Sequence, residues 1–109
     1  MTAAKASYRR FLKQLTEYLI GHSFAADRRT FRCANEHGDM VVVEVQISSS
    51  SLPGGVEFYV NLALVLAPRW QWDRKRLNLP EDREPTSSAG LWWDRVGPPG
   101  QRGIWRWKI

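Results

Sequence analysis

Tryptophan and arginine occur side by side in the C-terminal part of the chain, and this combination is well suited to binding. All six tryptophans lie between Trp70 and Trp107, and each of their clusters has arginine beside it. An indole next to a guanidinium group can stack on a nucleobase or anchor a protein interface. The alternative is that the indoles complete the hydrophobic core, because tryptophan is strongly buried on average.

Positive charge is concentrated in the same region. Residues 67–109 hold nine basic and five acidic groups, whereas residues 1–66 hold seven and six, so most of the net charge of +5 lies after residue 66. Such a charge steers an acidic partner toward this part of the molecule. We therefore predict a binding surface here that uses an exposed indole beside arginine. The candidate residues are Trp92, Trp93, Arg95 and Arg106.

Adjacent tryptophans constrain this surface further. Neighbouring residues of a strand point to opposite faces, so Trp92 and Trp93 cannot both enter the same core. At least one of them needs cover from a loop, a partner chain or water. If all the tryptophans of this region were buried, the cluster would be core and the binding hypothesis would fail.

A second candidate surface is polar. Strand alternation places Gln46, Tyr59 and Asn61 on one face with Arg32 and Glu44, provided that their strands are neighbours. Uncharged amides near a tyrosine can orient a polar ligand. Equally, cross-strand amide and charge pairs stabilise a solvent-facing sheet.

Catalytic and metal-binding chemistry has little support in the sequence. A catalytic nucleophile needs a neighbouring base, and the base needs an orienting partner. His22, His37 and Cys33 stand in no acid–base or metal-ligand spacing, and there is no glycine-rich phosphate loop. We therefore expect no enzymatic activity, no cofactor and no metal site.

Length and composition indicate one folded domain over residues 1–109. Hydrophobic residues make up 43% of the chain and charged residues 25%, both near the average for globular proteins. No apolar run approaches the roughly 20 residues that span a bilayer. A charged helical pattern rather than an apolar segment follows residue 6, and the single cysteine allows no internal disulfide. We expect a cytoplasmic protein without a membrane segment.

The N-terminal segment predicts an amphipathic helix over Ala3 to Ile20. The residues Phe11, Leu12, Leu15 and Leu19 follow the spacing of one helix face, and Gly21 is suited to the left-handed position that ends a helix. This face is expected to pack on a sheet.

Period-two alternation predicts the strands of that sheet. The clearest segments are 40–48 and 56–66, with shorter ones at 30–33, 91–96 and 104–108. Short connections between strands imply antiparallel neighbours. The prediction is an α+β fold with the helix packed on a mainly antiparallel sheet, a meander of about four to five strands.

Residues 67–90 break the alternating pattern. They form either a long irregular loop or a region with a short helix near residues 73–79. Within this region, the polar, proline-containing segment 80–90 is predicted to be the most mobile internal part of the chain.

From Phe11 to Val96 the order of these segments resembles a bacterial family known as domain of unknown function 4304. Two strand motifs carry the resemblance. The first strand ends in a Q-x-S pattern, and the second, which follows a polar linker, has an F-x-V-N-L pattern. The matching residues are Gln46, Ser48, Phe58, Val60, Asn61 and Leu62. The resemblance implies a soluble bacterial α+β domain, with no known activity, substrate or catalytic residue. It also implies further sequence after the last tryptophans, where this chain ends at Ile109.

These observations favour a non-enzymatic interaction domain that binds a protein, of the immunity or accessory type. The first alternative is weak nucleic-acid binding through the part of the chain rich in tryptophan and arginine. The second alternative, from a different class, is a small-ligand-binding domain whose enzymatic chemistry the sequence does not reveal. The oligomeric state is left open.

Overall fold

The structure is a computed structural model that describes residues 2–48, 54–100, 103 and 106–109. Its fold is α+β, as predicted. The helices are α1 (Ala3–Gly21) and α2 (Ala67–Arg76), with a short 3₁₀ turn at Ser87–Ala89. The strands are β1 (Ala25–Asp27), β2 (Thr30–Ala34), β3 (Met40–Ile47), β4 (Glu57–Val65), β5 (Trp92–Val96) and β6 (Trp107–Lys108). Neither helix is long and apolar enough to cross a membrane.

The sheet is an antiparallel meander. Strands β1 to β5 lie side by side in chain order, and β6 pairs with β4. The predicted neighbours β3 and β4 pair antiparallel along their whole length, with Val45 opposite Val60. The sequence did not predict β1, because its three residues are all exposed and show no apolar alternation. Within the described residues the sheet therefore has six strands, compared with the predicted four to five.

Helix α1 begins at an N-cap and ends one residue later than predicted. The Thr2 hydroxyl accepts a 3.2 Å hydrogen bond from the Lys5 backbone N–H, which satisfies one donor of the first turn. The residue in the left-handed region after the helix is Ser23, with φ of 69°, and not Gly21, which continues the helix. The Phe24 N–H then bonds the Leu19 carbonyl and closes the helix end.

The apolar face of α1 packs on one face of the sheet, as predicted. Phe11 lies against Phe58, with ring centroids 5.0 Å apart. Phe31 and Phe58 are completely buried beneath the helix. The core cluster on this side also includes Tyr8, Leu12, Leu15, Leu19, Val45, Val56 and Val60.

Helix α2 covers part of the opposite face. Its partly buried Trp70 packs on Val42, Ala63 and Val65, which form a second, smaller core. The helix begins six residues before the short helix suggested at 73–79, because its first turn is fixed from outside. Asp39 accepts a 2.8 Å hydrogen bond from the Ala67 N–H, and a proline stands in the first turn.

The segment that follows α2, residues 77–91, is held on the sheet at two buried positions. The Arg32 Nε donates a 2.7 Å hydrogen bond to the Pro85 carbonyl, and Ser87 bonds a carboxylate of β3. This segment thus has defined contacts with the sheet, and its mobility relative to other loops stays a prediction.

The two C-terminal strands were both predicted. β5 fills residues 92–96 of the predicted segment, and β6 occupies the end of the segment 104–108. Residues 104 and 105 lie outside the described part of the chain, so the first part of the predicted strand 104–108 is not tested. Trp107 itself stacks on Phe58 with ring centroids 5.8 Å apart, and its indole N–H bonds the Val96 carbonyl.

Candidate functional site

The sheet face opposite α1 is only partly covered. α2 and the 3₁₀ turn cover its upper end, around Val42 and Ala63. Strand register places a set of polar and aromatic side chains on the remainder, which we call the polar face. Its members are Gln46, Glu57, Tyr59, Asn61, Trp93, Arg95, Arg106 and Lys108.

Asn61 lies at the centre of the polar face and is 5% exposed. Its Nδ2 donates a 3.0 Å hydrogen bond to Gln46 Oε1, and its Oδ1 accepts a 3.2 Å hydrogen bond from Arg95 Nε. Both ends of the amide are therefore engaged, which defines its orientation. A buried amide with both ends satisfied adds rigidity to this part of the sheet.

Arg95 is held in place from two sides. Its guanidinium carbon lies 4.0 Å from the Tyr59 ring centroid and 5.8 Å from that of Trp93, while its Nε bonds Asn61. No carboxylate pairs with Arg95 among the residues that the structure describes. The guanidinium is thus fixed by neutral neighbours and keeps its charge and its terminal N–H groups available for an anion.

The two adjacent tryptophans lie on opposite faces, each about half exposed. Trp93 is opposite Ala63 on the polar face and is 57% exposed. Trp92 is opposite Leu64 on the α1 side and is 52% exposed. Residues 67–90 bury neither indole. Both side chains are therefore still accessible to a partner, as the binding hypothesis requires.

The lower end of the polar face carries a cluster of charges. Glu57 is 3.2 Å from Arg106 and 3.9 Å from Lys108, and its own side chain is only 12% exposed. With Arg95, the described residues of the polar face include three cations and one carboxylate, which gives this set a net positive charge. The sequence indicated Arg106 but not its partner Glu57, because their contact depends on the pairing of β6 with β4.

The upper end of this sheet face is closed. Arg32 and Glu44, which were predicted to share it, do so, but the segment 77–91 covers both. The Glu44 carboxylate accepts a 2.6 Å hydrogen bond from Ser87, and Arg32 lies 3.7 Å from Asp27 and 3.8 Å from Glu84. Ser87 was missed by the sequence analysis because its segment has no periodic pattern.

The structure thus brings together five of the seven residues suggested from the sequence, with Arg106 close by at the lower end. The five are Gln46, Tyr59, Asn61, Trp93 and Arg95. Trp92 is separated from them by the sheet itself. Their role in binding stays a prediction.

The histidines and the cysteine do not meet. The His22 ring lies beside Tyr18, tilted against it, with ring centroids 4.5 Å apart; His37 is exposed beside Glu36, and Cys33 is a half-buried free thiol. Among the described residues, no cluster of histidine, cysteine, aspartate or glutamate side chains is suited to a metal ion.

Among the described residues, the Tyr8 hydroxyl in the α1 core has a shifted pKa. Burial raises the pKa of the Tyr8 hydroxyl above its ordinary value of 10.0, and the nearby positive charge of Arg29 opposes the rise in part. Arg29 is close enough to influence this pKa, yet the hydroxyl is buried without a hydrogen bond of acceptable geometry.

Comparison with known proteins identifies the family and no closer relative. No curated protein sequence and no solved structure matches the chain significantly. A family model described as "Domain of unknown function (DUF4304)" matches residues 15–108, which include α2, all six described strands and the C-terminal part of α1 from Leu15 onward. The chain therefore belongs to the DUF4304 family.

Proposed function

We propose that this protein is a non-enzymatic binding domain whose polar face holds an acidic segment of a partner protein. The observation that carries the proposal is Arg95, a cation fixed by Tyr59 and Asn61 on an open sheet face, without a carboxylate partner among the described residues. Trp93 beside it offers an exposed indole, and tryptophan and arginine are enriched among the residues that dominate protein interfaces.

Protein is favoured over single-stranded nucleic acid by the state of the aromatic rings. A surface for single strands usually offers several ring faces on which successive bases stack. Here the Arg95 guanidinium already occupies a face of Tyr59, and Trp107 is packed on the α1 side. Trp93 is the exposed indole that the described part of the polar face retains. A single ring with arginine suits a side chain and a carboxylate better than a run of bases.

The non-enzymatic part of the proposal rests on how the reactive groups are used. The Ser87 hydroxyl donates to the Glu44 carboxylate beneath the segment 77–91, and Cys33 lies on the α1 side of the sheet opposite Val41. Both histidines are exposed in loops. None of these groups forms a nucleophile–base–orienter arrangement.

Binding to defined probes tests the proposal. The first probe is a fluorescent peptide rich in glutamate and leucine, and its counterpart has glutamine at every glutamate. We expect the acidic peptide to bind more tightly, and Arg95→Ala to weaken it about tenfold, because a charge-assisted hydrogen bond is lost. Arg9→Ala is the matched control, since it removes the same charge from the exposed side of α1.

Two results would overturn the proposal. One is an equal loss of affinity in the Arg95 and Arg9 variants, which would indicate attraction by net charge alone. The other is tighter binding of an oligothymidylate than of the peptide, with an affinity that falls steeply as salt is raised. That second result would establish the nucleic-acid alternative in place of the protein one.

A further inference from the structure

A groove separate from the polar face lies between α2 and the segment 77–91. Its volume is about 480 Å³. This value falls within the range of roughly 300–1,000 Å³ that is typical of pockets for small molecules. Trp70, Leu77, Leu79, Ala89 and Leu91 give the groove apolar walls. An apolar organic group of modest size would therefore fit.

Two arginines of α2 are fixed at the edge of this groove. Asp73 pairs with both, at 3.5 Å from Arg69 and 3.3 Å from Arg76. The same two guanidinium groups lie over the Trp72 ring, 5.5 and 4.9 Å from its centroid. The Asp73 carboxylate and the Trp72 indole together restrain both guanidinium groups. The entropic cost of ordering these side chains when a ligand binds is therefore small. One carboxylate shared by two cations leaves an excess of positive charge.

A third arginine comes from the opposite wall. Arg83 also lines the groove, and its side chain forms no hydrogen bond or ion pair among the described residues. Glu84 also lines the groove, and its carboxylate lies 3.8 Å from Arg32. Three arginines and two carboxylates, Asp73 and Glu84, thus line the described part of the groove, which leaves a net positive charge beside its apolar side chains.

We infer that this groove is a binding site for a small amphipathic carboxylate. The apolar body of the ligand lies against Trp70 and Ala89, and its carboxylate is held between Arg83 and the pair formed by Arg69 and Arg76. Guanidinium groups match the planar carboxylate through paired N–H donors. The inference is independent of the proposed function, because the groove and the polar face share no residue.

The test uses 4-phenylbutyrate as the probe and 4-phenylbutan-1-ol as its uncharged counterpart. Both are titrated into the ¹⁵N-labelled protein and followed by NMR. We expect the carboxylate to shift the Trp70 indole N–H and the Ala89 and Gly90 amides, with a dissociation constant on the order of 1 mM. The alcohol should bind several-fold more weakly, because it lacks the charge that the arginines attract.

Variants separate the site from general attraction. Arg83→Ala should weaken 4-phenylbutyrate about fivefold, since it removes a cation that has no structural partner. Ala89→Phe fills the groove without changing its charge and should abolish the shifts. Lys75→Ala removes a charge from α2 outside the groove and should not change the affinity.

Three outcomes would overturn the inference. They are equal binding of the acid and the alcohol, shifts that map away from the groove, and an affinity that Arg83→Ala leaves unchanged. The spectrum of each variant without ligand reports whether it is folded. Should Arg83→Ala not fold, the Ala89→Phe titration decides in its place.

Discussion

The Arg95 guanidinium lies 4.0 Å from the centroid of the Tyr59 ring, although the two residues stand on neighbouring strands and are 36 positions apart in the sequence. Asn61 completes the arrangement by accepting a hydrogen bond from Arg95 Nε. A stacked and hydrogen-bonded guanidinium has lost much of its freedom before any partner arrives. The entropic cost of ordering this side chain on binding is correspondingly small.

Tyr59→Leu tests whether the ring is what holds Arg95. The substitution keeps an apolar side chain on β4 but removes the cation–π contact, which contributes roughly 0.5–1 kcal/mol at exposed sites. We expect a loss of stability of that size in urea unfolding and a several-fold loss of affinity for the acidic peptide. Tyr18→Leu is the control, because Tyr18 is an exposed tyrosine on α1. Equal affinities in the two variants would show that the ring does not prepare Arg95 for binding.

Asn61→Ala tests the central amide. Because Asn61 is buried and bonds both Gln46 and Arg95, its removal should destabilise the fold by about 1–2 kcal/mol. Gln46→Ala loses one of the same hydrogen bonds from an exposed position and should cost less than about 0.5 kcal/mol. Chemical denaturation of both variants measures the difference. If Gln46→Ala costs as much as Asn61→Ala, burial of the amide is not what matters.

The long periodic segments of the fold were predictable from the sequence. The stripe on α1 and the alternation in β3 and β4 extend over many residues, and each pattern buries a continuous face. The alternation of side chains along β3 and β4 also placed Gln46, Tyr59 and Asn61 on one face of the sheet. Strand register then decided the rest of the site. Which strand lies beside β4, and at which offset Arg95 meets Asn61, depends on pairings that no local pattern encodes.

Helix α2 shows why other parts escaped prediction. None of its residues is fully buried, so it has no apolar stripe of ordinary width. Its first turn is fixed by Asp39, a residue 28 positions earlier in the chain. A helix defined by a distant cap and one large side chain leaves little periodic signal in its own sequence.

Trp70→Ala measures how much that one side chain contributes. Trp70 packs on the second core formed by Val42, Ala63 and Val65, so its loss should cost about 3 kcal/mol and loosen α2. Trp72 on the same helix is 55% exposed, and Trp72→Ala should cost less than about 1 kcal/mol. Thermal and urea unfolding of the pair provide the comparison. Similar costs for both tryptophans would mean that α2 is not anchored through Trp70.

Tyr8→Phe should make the protein more stable and less sensitive to alkaline pH. The hydroxyl is buried without a hydrogen bond, so its removal should raise the free energy of unfolding at neutral pH by about 1 kcal/mol.

Burial also raises the pKa of Tyr8 in the folded state above its ordinary value of 10.0. The folded protein therefore holds this proton more tightly than the unfolded chain. The contribution of Tyr8 to stability is constant below pH 10 and is lost as the pH rises from there through the folded-state pKa. Urea unfolding of both proteins between neutral pH and pH 11 measures the effect, with Tyr18→Phe as the exposed control. We expect the stability gained by Tyr8→Phe to increase above pH 10, and a difference that stays constant with pH would contradict this account.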